Sequence, residues 1–479
     1  MTVAAVAPLR RQRVRPRLRN RESLLLLMVA AVLLLGWVSL EWGRAGAMVL
    51  GDPSVLVIFM GILASVHVAF ILTGRRTDQI LLPTGGLLGG ISLLLMMRLP
   101  QDLVRQSFGT TTLGLAPLQL LWMSIAFVLL GVLAIVVRSD GWLRYYKYTW
   151  AAIGVGLLLL VFRLGEDVNG ARLSLTIGPI SGQPSELLKV ILVVFLAGYL
   201  ADNRTLLASS STRIGPLRLP PLPYLLPMVL MWGLALSIVI FQRDLGAALL
   251  FFTVFLALLY VATRRASYVV LGLGLFFVGS FVLYQLFGHV QTRVDIWLDP
   301  FADPQDAGFQ VVRALYAFGR GGILGTGLGA GLPEVGGPAI PAIHTDFVFA
   351  ALAEELGLLG ALAILALYLV IAERGIRIAV AAADDFRALL AVGLTLVIVI
   401  QAAIIMGGNL KLVPLTGITL PLVSYGGSSL LANAIVIGLL LALSDRGVEA
   451  PPPPREQTRR DRLRAGVRSL GGRVERVVS

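Results

Sequence analysis

The sequence predicts an all-α polytopic membrane protein with about twelve transmembrane helices. Hydrophobic residues make up 57% of its 479 residues, and the mean hydropathy is +0.85. Charged residues make up only 14%, against about 25% in an average soluble protein, so they are too few to cover a water-exposed surface. This apolar composition also excludes intrinsic disorder. The absence of cysteine excludes a disulfide scaffold, a thiolate metal site and a cysteine nucleophile.

The helices are predicted from apolar runs, because a helix needs about 20 apolar residues to cross the hydrocarbon core. Twelve runs qualify, and the fifth of them is short. The predicted spans are 24–41, 53–73, 79–97, 117–137, 149–163, 185–201, 223–242, 245–262, 266–287, 343–371, 388–408 and 426–444.

The basic residues predict that both termini are cytosolic, since Lys and Arg accumulate on the cytosolic side of membrane proteins. With twelve spans and the N-terminus inside, 29 of the 40 Lys and Arg residues fall in the two tails and the inner loops. Membrane topology therefore explains the net charge of +13, and we predict no nucleic-acid partner.

The longest predicted outer segment, 288–342, lies between the ninth and tenth spans, and loops of this length are usually functional. Within it, Asp299 and Asp303 each precede a proline. Asp is a good helix N-cap and Pro suits the first helical position, so either residue can be a cap. The alternative is a carboxylate held at the membrane surface as a general base. The residue types leave both interpretations open.

Two further segments adjoin the tenth span. The glycine-rich run 319–337 lacks the Lys-Ser/Thr ending of a phosphate-binding P-loop, and it predicts a flexible outer loop that moves over a substrate. In 344–357, His344 and Glu355 are eleven residues apart, which predicts one shared helix face, and Asp346 is predicted to cap the span. A carboxylate as deep as Glu355 should face the bundle interior and have a partner, which favours a structural ion pair.

Two more clusters lie at predicted outer helix ends. Glu186 and Lys189 are three residues apart at the start of the sixth span and share one helix face. They form either a structural salt bridge or a cation site for a phosphate head group, facing a cavity shared with 409–425. In 407–430, prolines and glycines break the helix, which membranes tolerate only where backbone lines protein or a cavity. Lys411 adds a cation there.

Five motifs occur in a family-specific order over the last two thirds of the chain. They are GQPSELLK at 182–189, QRDLG at 242–246, DPQDAGFQ at 303–310, HTDFVFAALAEELG at 344–357 and PLTGITLPLVSYGGSS at 414–429. On these motifs the chain resembles the SEDS family (shape, elongation, division and sporulation), the RodA/FtsW-type cell-wall polymerases. It looks most like the twelve-span elongation-type members.

The resemblance implies a peptidoglycan glycosyltransferase that polymerises lipid II at the outer face of the plasma membrane, in cell elongation or division. It also implies a class B penicillin-binding protein, a transpeptidase, as partner. Because family members usually have about ten spans, four regions follow. These are a basic cytosolic tail (1–22), a two-span N-terminal addition (23–78), a ten-span catalytic core (79–446) and a Pro-rich basic cytosolic tail (447–479).

The family's essential aspartate maps to Asp303, which becomes the predicted catalytic residue. The predicted substrate-binding residues are Glu186, Lys189, Arg172, Lys411 and Ser424. The predicted structural or supporting residues are Asp299, His344, Asp346 and Glu355. Two departures from the family pattern weaken only the role of Arg172: the run GARLSL lacks a second arginine and a tryptophan, and QRDLG has arginine where proline is usual.

One carboxylate suffices for the implied chemistry. Pyrophosphate is already a good leaving group and needs only nearby cations, while the acceptor hydroxyl benefits from one base. Direct displacement would invert the anomeric centre. No cofactor is evident, and the use of a divalent cation (Mg²⁺ or Mn²⁺) stays open. The alternative functions are a lipid II flippase and a non-catalytic scaffold of the wall-synthesis complex.

Overall fold

The computed structural model describes most of the chain. The described residues are 16–45, 51–108, 111–168, 171–177, 180–209, 212–214, 217–219, 233, 244–331, 340 and 342–445. Both predicted tails, except for residues 16–22, lie outside them, and so does the predicted span 223–242 except for residue 233.

Helices dominate, as predicted, because apolar runs in a membrane must satisfy their backbone hydrogen bonds internally. The helices are α1 (Asn20–Ala45), α2 (Ser54–Leu72), α3 (Leu81–Arg98), α4 (Leu115–Val136), α5 (Gly141–Tyr145), α6 (Lys147–Leu164), α7 (Pro184–Ser209), α8 (Leu245–Thr263), α9 (Ala266–Leu286), α10 (Gly288–Leu298), α11 (Phe309–Gly321), α12 (Val348–Val380), α13 (Asp385–Asn409) and α14 (Gly427–Ser444).

Ten of these described helices are long and apolar enough to cross a membrane, namely α1–α4, α7–α9 and α12–α14. The chain is therefore a multi-pass membrane protein. The fifth predicted span corresponds to α6, whose apolar part is shorter. With the seventh predicted span outside the described residues, the total of twelve stays a prediction.

Five of the described helices form most of the interior of the bundle. In α3, α7, α8, α13 and α14 most residues of the apolar window are buried, whereas in α9 only 6% are buried. Helix α13 packs against α7, α8 and α12, and α14 packs against α4. Polar side chains on α7, α13 and α14 therefore meet inside protein, where lipid does not reach them.

Short antiparallel strands connect some of the helices. Strands β1 (Gln106–Phe108) and β2 (Thr111–Leu113) pair, as do β6 (Thr212–Ile214) and β7 (Leu217–Leu219). Strand β4 (Ala171–Ile177) pairs with both β3 (Glu166–Val168) and β5 (Ile180–Gly182). The three strands β3–β5 lead directly into α7, which begins one turn before Lys189.

The glycine-rich segment differs from its predicted role as a moving loop. Its described part, 319–331, packs against α12 at a break where Gly357 has φ +68°. Leu358 N donates to Gly322 O (2.9 Å) and Gly327 N donates to Glu355 O (3.0 Å). A Cβ on Gly357 would lie 2.3 Å from Gly325 N. The described glycines thus serve close backbone approach, so the prediction of a flexible loop is wrong for them; 332–337 lie outside the described residues.

The start of the tenth predicted span also differs from expectation. Helix α12 begins at Val348, with Phe347 as its N-cap residue and no side-chain cap. Residues 342–346 form a turn in which Thr345 N and Asp346 N both donate to Ala342 O. His344 is therefore not on the face of Glu355, and Asp346 does not cap the helix. The predicted boundary at 343 was five residues too early, because Ile343 and Phe347 are apolar although they lie outside the helix.

Candidate functional site

The Glu186–Lys189 pair lies in the first two turns of α7. Lys189 Nζ donates to Glu186 Oε2 at 2.6 Å. The Lys189 side chain is 2% exposed and that of Glu186 is 11% exposed. The i,i+3 spacing in the sequence therefore does bring the two charges together on one helix face, as a nearly buried ion pair.

Lys189 also joins two other helices. Its Nζ donates to Gln401 Oε1 on α13 (2.8 Å) and to Asn433 Oδ1 on α14 (3.2 Å). An ammonium group has three N–H donors, and the three contacts use all of them. In this conformation Lys189 has no donor left for a phosphate, which favours a positioning role over the predicted cation site.

These contacts close into a ring of hydrogen bonds. Gln401 Nε2 donates to the backbone oxygen of Thr419 at 2.8 Å. The hydroxyls of Thr419 and Ser429 are 2.6 Å apart, and Asn433 Nδ2 donates to Ser429 Oγ (3.2 Å). The ring joins α7, α13 and α14 to the broken segment 410–426, which lies between α13 and α14.

Asp244 is a buried carboxylate beside this pair. It is the N-cap of α8, where Oδ1 accepts from Ala247 N (2.9 Å). Its Oδ2 accepts from Gln183 Nε2 (3.1 Å) and from Ser185 Oγ (3.2 Å). Burial raises the pKa of Asp244, and the nearby charge of Glu186 raises that pKa further. Asp244 of the QRDLG motif is thus a helix cap that accepts hydrogen bonds from Gln183 and Ser185 of the GQPSELLK motif.

A narrow crevice separates these groups from segment 410–426. Its volume is about 20 Å³, room for about one water molecule. The polar residues lining it are Gln183, Ser185, Glu186, Lys189, Asp244, Gln401 and Thr419. The pair does face a cavity shared with this segment, but the cavity is too small for a lipid-linked sugar.

Arg293 on α10 connects the large segment between α9 and α12 to segment 410–426. Its Nη1 donates to the backbone oxygens of Leu415 (3.2 Å) and Thr416 (3.0 Å). Burial lowers the pKa of Arg293, while the charges of Asp244 and Asp346 oppose that shift. Arg293 is thus a positive charge between two carboxylates.

Asp346 precedes α12 in the turn 342–346. Burial raises the pKa of Asp346 from 3.8 to about 6, although a hydrogen bond from Thr345 and the charge of Arg293 oppose the shift. Its Oδ2 would lie 3.7 Å from a Cβ on Gly417. Asp346 therefore lies at the same end of the bundle as a set of residues that we call, together with it, the polar cluster: Glu186, Lys189, Asp244, Arg293, Gln401 and Asn433.

The raised pKa of Asp346 predicts a pH-dependent contribution to stability. Between pH 3.8 and about 6 the folded protein binds this proton more tightly than the unfolded chain does. The contribution is therefore present below pH 3.8 and is lost as the pH rises through about 6. We expect the melting temperature of the wild type relative to Asp346→Asn to be higher at pH 5 than at pH 7.5. A difference independent of pH would contradict the raised pKa.

Asp303 lies in the exposed turn 299–308 between α10 and α11. Its Oδ1 accepts from Asp306 N and its Oδ2 from Ala307 N, both at 3.3 Å. Gly308 N donates to Asp303 O (2.9 Å), and a Cβ on Gly308 would lie 2.1 Å from Pro300 O. The DPQDAG sequence therefore closes a tight turn that presents an exposed carboxylate.

No helix begins at Pro300 or Pro304, so the helix-capping interpretation is wrong for both aspartates. Asp299 instead follows the last residue of α10, where Asp299 N donates to Asp295 O (2.8 Å) and Oδ1 accepts from Phe301 N (3.1 Å). Helix α11 begins at Phe309 after Gly308. The local hydrogen bonds of Asp stabilise turns here rather than a helix start.

Lys411 lies close to this turn. Its Nζ donates to Leu298 O (3.1 Å), and Trp297 Nε1 donates to Lys411 O (3.1 Å). Lys411 is partly exposed and adopts φ +59°. One N–H of its ammonium is used in this contact, so Lys411 is a cation near Asp299 that can donate further hydrogen bonds.

Of the remaining predicted residues, Ser424 and His344 make internal contacts, and the side chain of Arg172 is outside the described part of the chain. Ser424 is 1% exposed; its Oγ donates to Thr345 O and accepts from Leu420 N (2.8 Å), so its contacts are internal. The His344 ring lies 5.7 Å from that of Tyr425. Arg172 is in β4, and its side chain lies outside the described residues.

Glu355 has the buried partner that its depth requires. Arg98 Nε on α3 donates to Glu355 Oε1 at 2.9 Å, and both side chains are 1% exposed. Gly329 N donates to the other oxygen (3.2 Å), and Arg98 Nη2 donates to Gly331 O (3.0 Å). The pair joins α3, α12 and the glycine-rich segment, so Glu355 supports the fold.

Metal binding has no support among these groups. Within the described ranges, no three Asp, Glu or His side chains converge in a way that could hold a metal ion. We therefore derive no step through a divalent cation.

Four residues of the polar cluster are absent from the sequence-based prediction: Asp244, Arg293, Gln401 and Asn433. Asp244 had a usable signal, because an aspartate directly before an apolar run is typical of an N-cap. Gln401 and Asn433 are single polar residues within apolar spans, which membranes tolerate where they hydrogen-bond between helices.

Comparison with known proteins gives consistent matches. The model of the FtsW/RodA/SpoVE family of cell cycle proteins matches residues 78–447. The peptidoglycan glycosyltransferase RodA of Mycobacterium tuberculosis H37Rv is 37% identical over 471 residues, 98% of this chain and 99% of that protein. RodA of Mycobacterium leprae is 39% identical over 388 residues, 81% and 82% of the two chains.

Solved structures agree with these matches. A chain from a peptidoglycan synthase complex, solved to show how polymerization and crosslinking are coordinated, has a TM-score of 0.60 at 27% identity, covering 77% of this chain and 98% of that chain. The rod shape determining protein RodA of Thermus thermophilus has a TM-score of 0.52 at 25% identity, covering 77% and 97%.

The helical bundle, with a polar cluster beneath a broken segment, defines a multi-pass membrane protein with a candidate functional site at one end. The chain belongs to the FtsW/RodA/SpoVE family, which is the SEDS family that its motifs resemble.

Proposed function

We propose that the protein is a peptidoglycan glycosyltransferase that polymerises lipid II at the outer face of the plasma membrane. The observation that carries the proposal is the exposed Asp303 carboxylate, held by a tight turn beside Lys411. The relatives named peptidoglycan glycosyltransferase RodA, which match nearly the whole chain, support the same activity.

In the proposed reaction, Asp303 accepts the proton of the acceptor sugar hydroxyl while that oxygen attacks the anomeric carbon of the donor. The bond to the polyprenyl pyrophosphate breaks on the opposite face, so the anomeric centre inverts. Lys411 is the candidate cation for the departing pyrophosphate, because it is partly exposed and retains N–H donors. The substrate lies over the exposed turn, since the crevice of about 20 Å³ cannot admit it.

Glu186 and Lys189 act as positioning residues in this proposal. Their ring of hydrogen bonds holds segment 410–426, and Lys411 in that segment contacts Leu298 at the end of α10. The pair thus influences the position of the Asp303 turn through the segment, and it does not itself contact the substrate. Asp299, Asp346 and Arg293 support the same segment and turn.

The test supplies purified protein with lipid II and no partner enzyme. Glycan chains should form with the wild type and not with Asp303→Asn. A flippase would instead move lipid II across proteoliposome membranes without polymerising it, and a scaffold would do neither. Lipid II movement without glycan chains would overturn the proposal.

The partner is proposed to be a class B penicillin-binding protein. The structural relative that coordinates polymerization with crosslinking is part of a synthase complex, and crosslinking needs a transpeptidase. The four-region division of the chain, with a two-span addition before a ten-span core, is likewise a proposal. It is supported by the start of the family match at residue 78.

The proposed topology places both termini in the cytosol, because most Lys and Arg residues then lie inside. A green fluorescent protein fused after Ser479 should fluoresce, and alkaline phosphatase fused there should be inactive. The reverse pattern would contradict an even number of spans with a cytosolic N-terminus.

A further inference from the structure

An arginine-lined cavity of about 550 Å³ lies at the end of the bundle opposite the Asp303 turn. Its walls come from the start of α1 and the residues before it, the loop between α2 and α3, the ends of α12 and α14, and the residues from the end of α12 to the start of α13. By the positive-inside distribution this is the cytosolic end. The activity proposed above makes no use of it.

Most arginines around this cavity are already neutralised. Five of them form ion pairs with five different carboxylates, so the positive and negative charges of these ten residues cancel. The pairs are Arg19–Glu22, Arg75–Asp445, Arg374–Asp78, Arg377–Glu373 and Arg387–Asp140.

The other three arginines that line the cavity give it a net positive charge. Among the described residues, Arg17, Arg21 and Arg76 have no carboxylate within ion-pair distance, and all three are exposed. Two buried donors in the lining also have no hydrogen-bond partner: Arg75 Nε and Thr77 Oγ1, in residues that are 5% and 3% exposed. Guanidinium groups and a hydroxyl are the donors that phosphate oxygens accept from.

We propose that this cavity binds the phosphate of an anionic phospholipid from the cytosolic leaflet. Leu18 lines the cavity and is 79% exposed, while Leu72 and Val380 at neighbouring helix ends are 61% and 83% exposed. These apolar side chains offer a path for acyl chains next to the phosphate donors. That continuity favours a lipid over a soluble phosphate.

The site belongs to the N-terminal part of the chain. Arg17, Arg21 and Arg76 all precede residue 78, where the family match begins. The matched part contributes walls from residues 78–80, from the ends of α12 and α14, and from the stretch that leads into α13. A bound lipid would therefore hold the first two helices against the rest of the bundle from the cytosolic side.

The test measures binding of phosphatidylglycerol to the purified full-length protein in neutral detergent, with phosphatidylcholine of the same acyl chains as reference. We expect phosphatidylglycerol to raise the melting temperature saturably and phosphatidylcholine to have no such effect. The variant R21Q/R76Q should weaken phosphatidylglycerol binding by about 30-fold, as expected for two basic groups near an anionic lipid.

The matched control is R138Q/R264Q. It removes the same charge from exposed arginines of predicted inner loops that do not line this cavity, and it should bind phosphatidylglycerol like the wild type. Equal loss in both variants, or none in either, would overturn the proposal. A third arm of the experiment uses inorganic phosphate. If the wild type binds inorganic phosphate but not phosphatidylglycerol, and R21Q/R76Q abolishes that phosphate binding, then the ligand is a soluble phosphate and the lipid proposal is wrong. R76Q alone serves if the double variant does not fold.

Discussion

Asp303→Asn should abolish most polymerisation of lipid II while leaving the fold intact. The substitution is nearly isosteric, and the Asn side-chain oxygen can still accept from Asp306 N or Ala307 N. It removes the negative charge and the ability to take a proton from the acceptor hydroxyl. A general base typically contributes roughly 10²–10⁴-fold to the rate, so we expect a rate loss in that range in the lipid II assay, at unchanged melting temperature.

Asp306→Asn is the matched control for this variant. Asp306 lies in the same exposed turn and contributes its backbone N–H to Asp303, a contact that the substitution keeps. We expect its polymerisation rate to stay close to that of the wild type. Near-normal polymerisation by Asp303→Asn would reject the base assignment, and Asp303 would then be only the residue that closes the turn.

The order of the membrane helices could be predicted because apolar length is a local property. The predicted spans 53–73 and 245–262, for example, begin within one residue of the observed starts of α2 and α8. The start of α12 could not be predicted, because the apolar Ile343 and Phe347 continue the run although residues 342–346 form a turn. The turn depends on long-range contacts, such as Tyr425 N to His344 O (2.8 Å).

The same distinction explains what the sequence revealed of the site. Glu186 and Lys189 are one turn apart, so their pairing follows from helix geometry. That Lys189 is satisfied by Gln401 and Asn433 depends on how α13 and α14 pack against α7, and nothing local predicts it. Glycine-rich composition was ambiguous for a related reason: it permits a mobile loop and equally permits the close packing observed at Gly357.

Lys189→Met should lower both stability and polymerisation. Methionine fills a similar volume but leaves the Glu186 carboxylate without its cation and removes the donor that Gln401 and Asn433 share. Breaking a buried ion pair by removing one partner costs on the order of 3–5 kcal/mol. We expect a lower melting temperature and, per folded molecule, slower polymerisation, because segment 410–426 loses part of its anchoring.

A second variant separates stability from positioning. In Glu186→Gln/Lys189→Met no unpaired charge remains, so much of the stability should return, while the ring of hydrogen bonds stays open. If the pair positions segment 410–426, the double variant should fold near the wild-type level and still polymerise slowly. Full recovery of the rate together with stability would show that the pair only supports the fold.

Lys147→Met is the control for loss of a lysine ion pair elsewhere on α7. Lys147 pairs with Asp202, which lies 13 residues beyond Lys189 on α7, or about 20 Å along a helix. Its loss should affect the melting temperature and leave the rate per folded molecule unchanged. A rate loss equal to that of Lys189→Met would mean that any weakening of α7 slows the reaction, and the positioning role would fall. A rate loss confined to Lys189→Met would instead show that Lys189 acts on the reaction through Gln401 and Thr419, which hold the segment that contacts the end of α10.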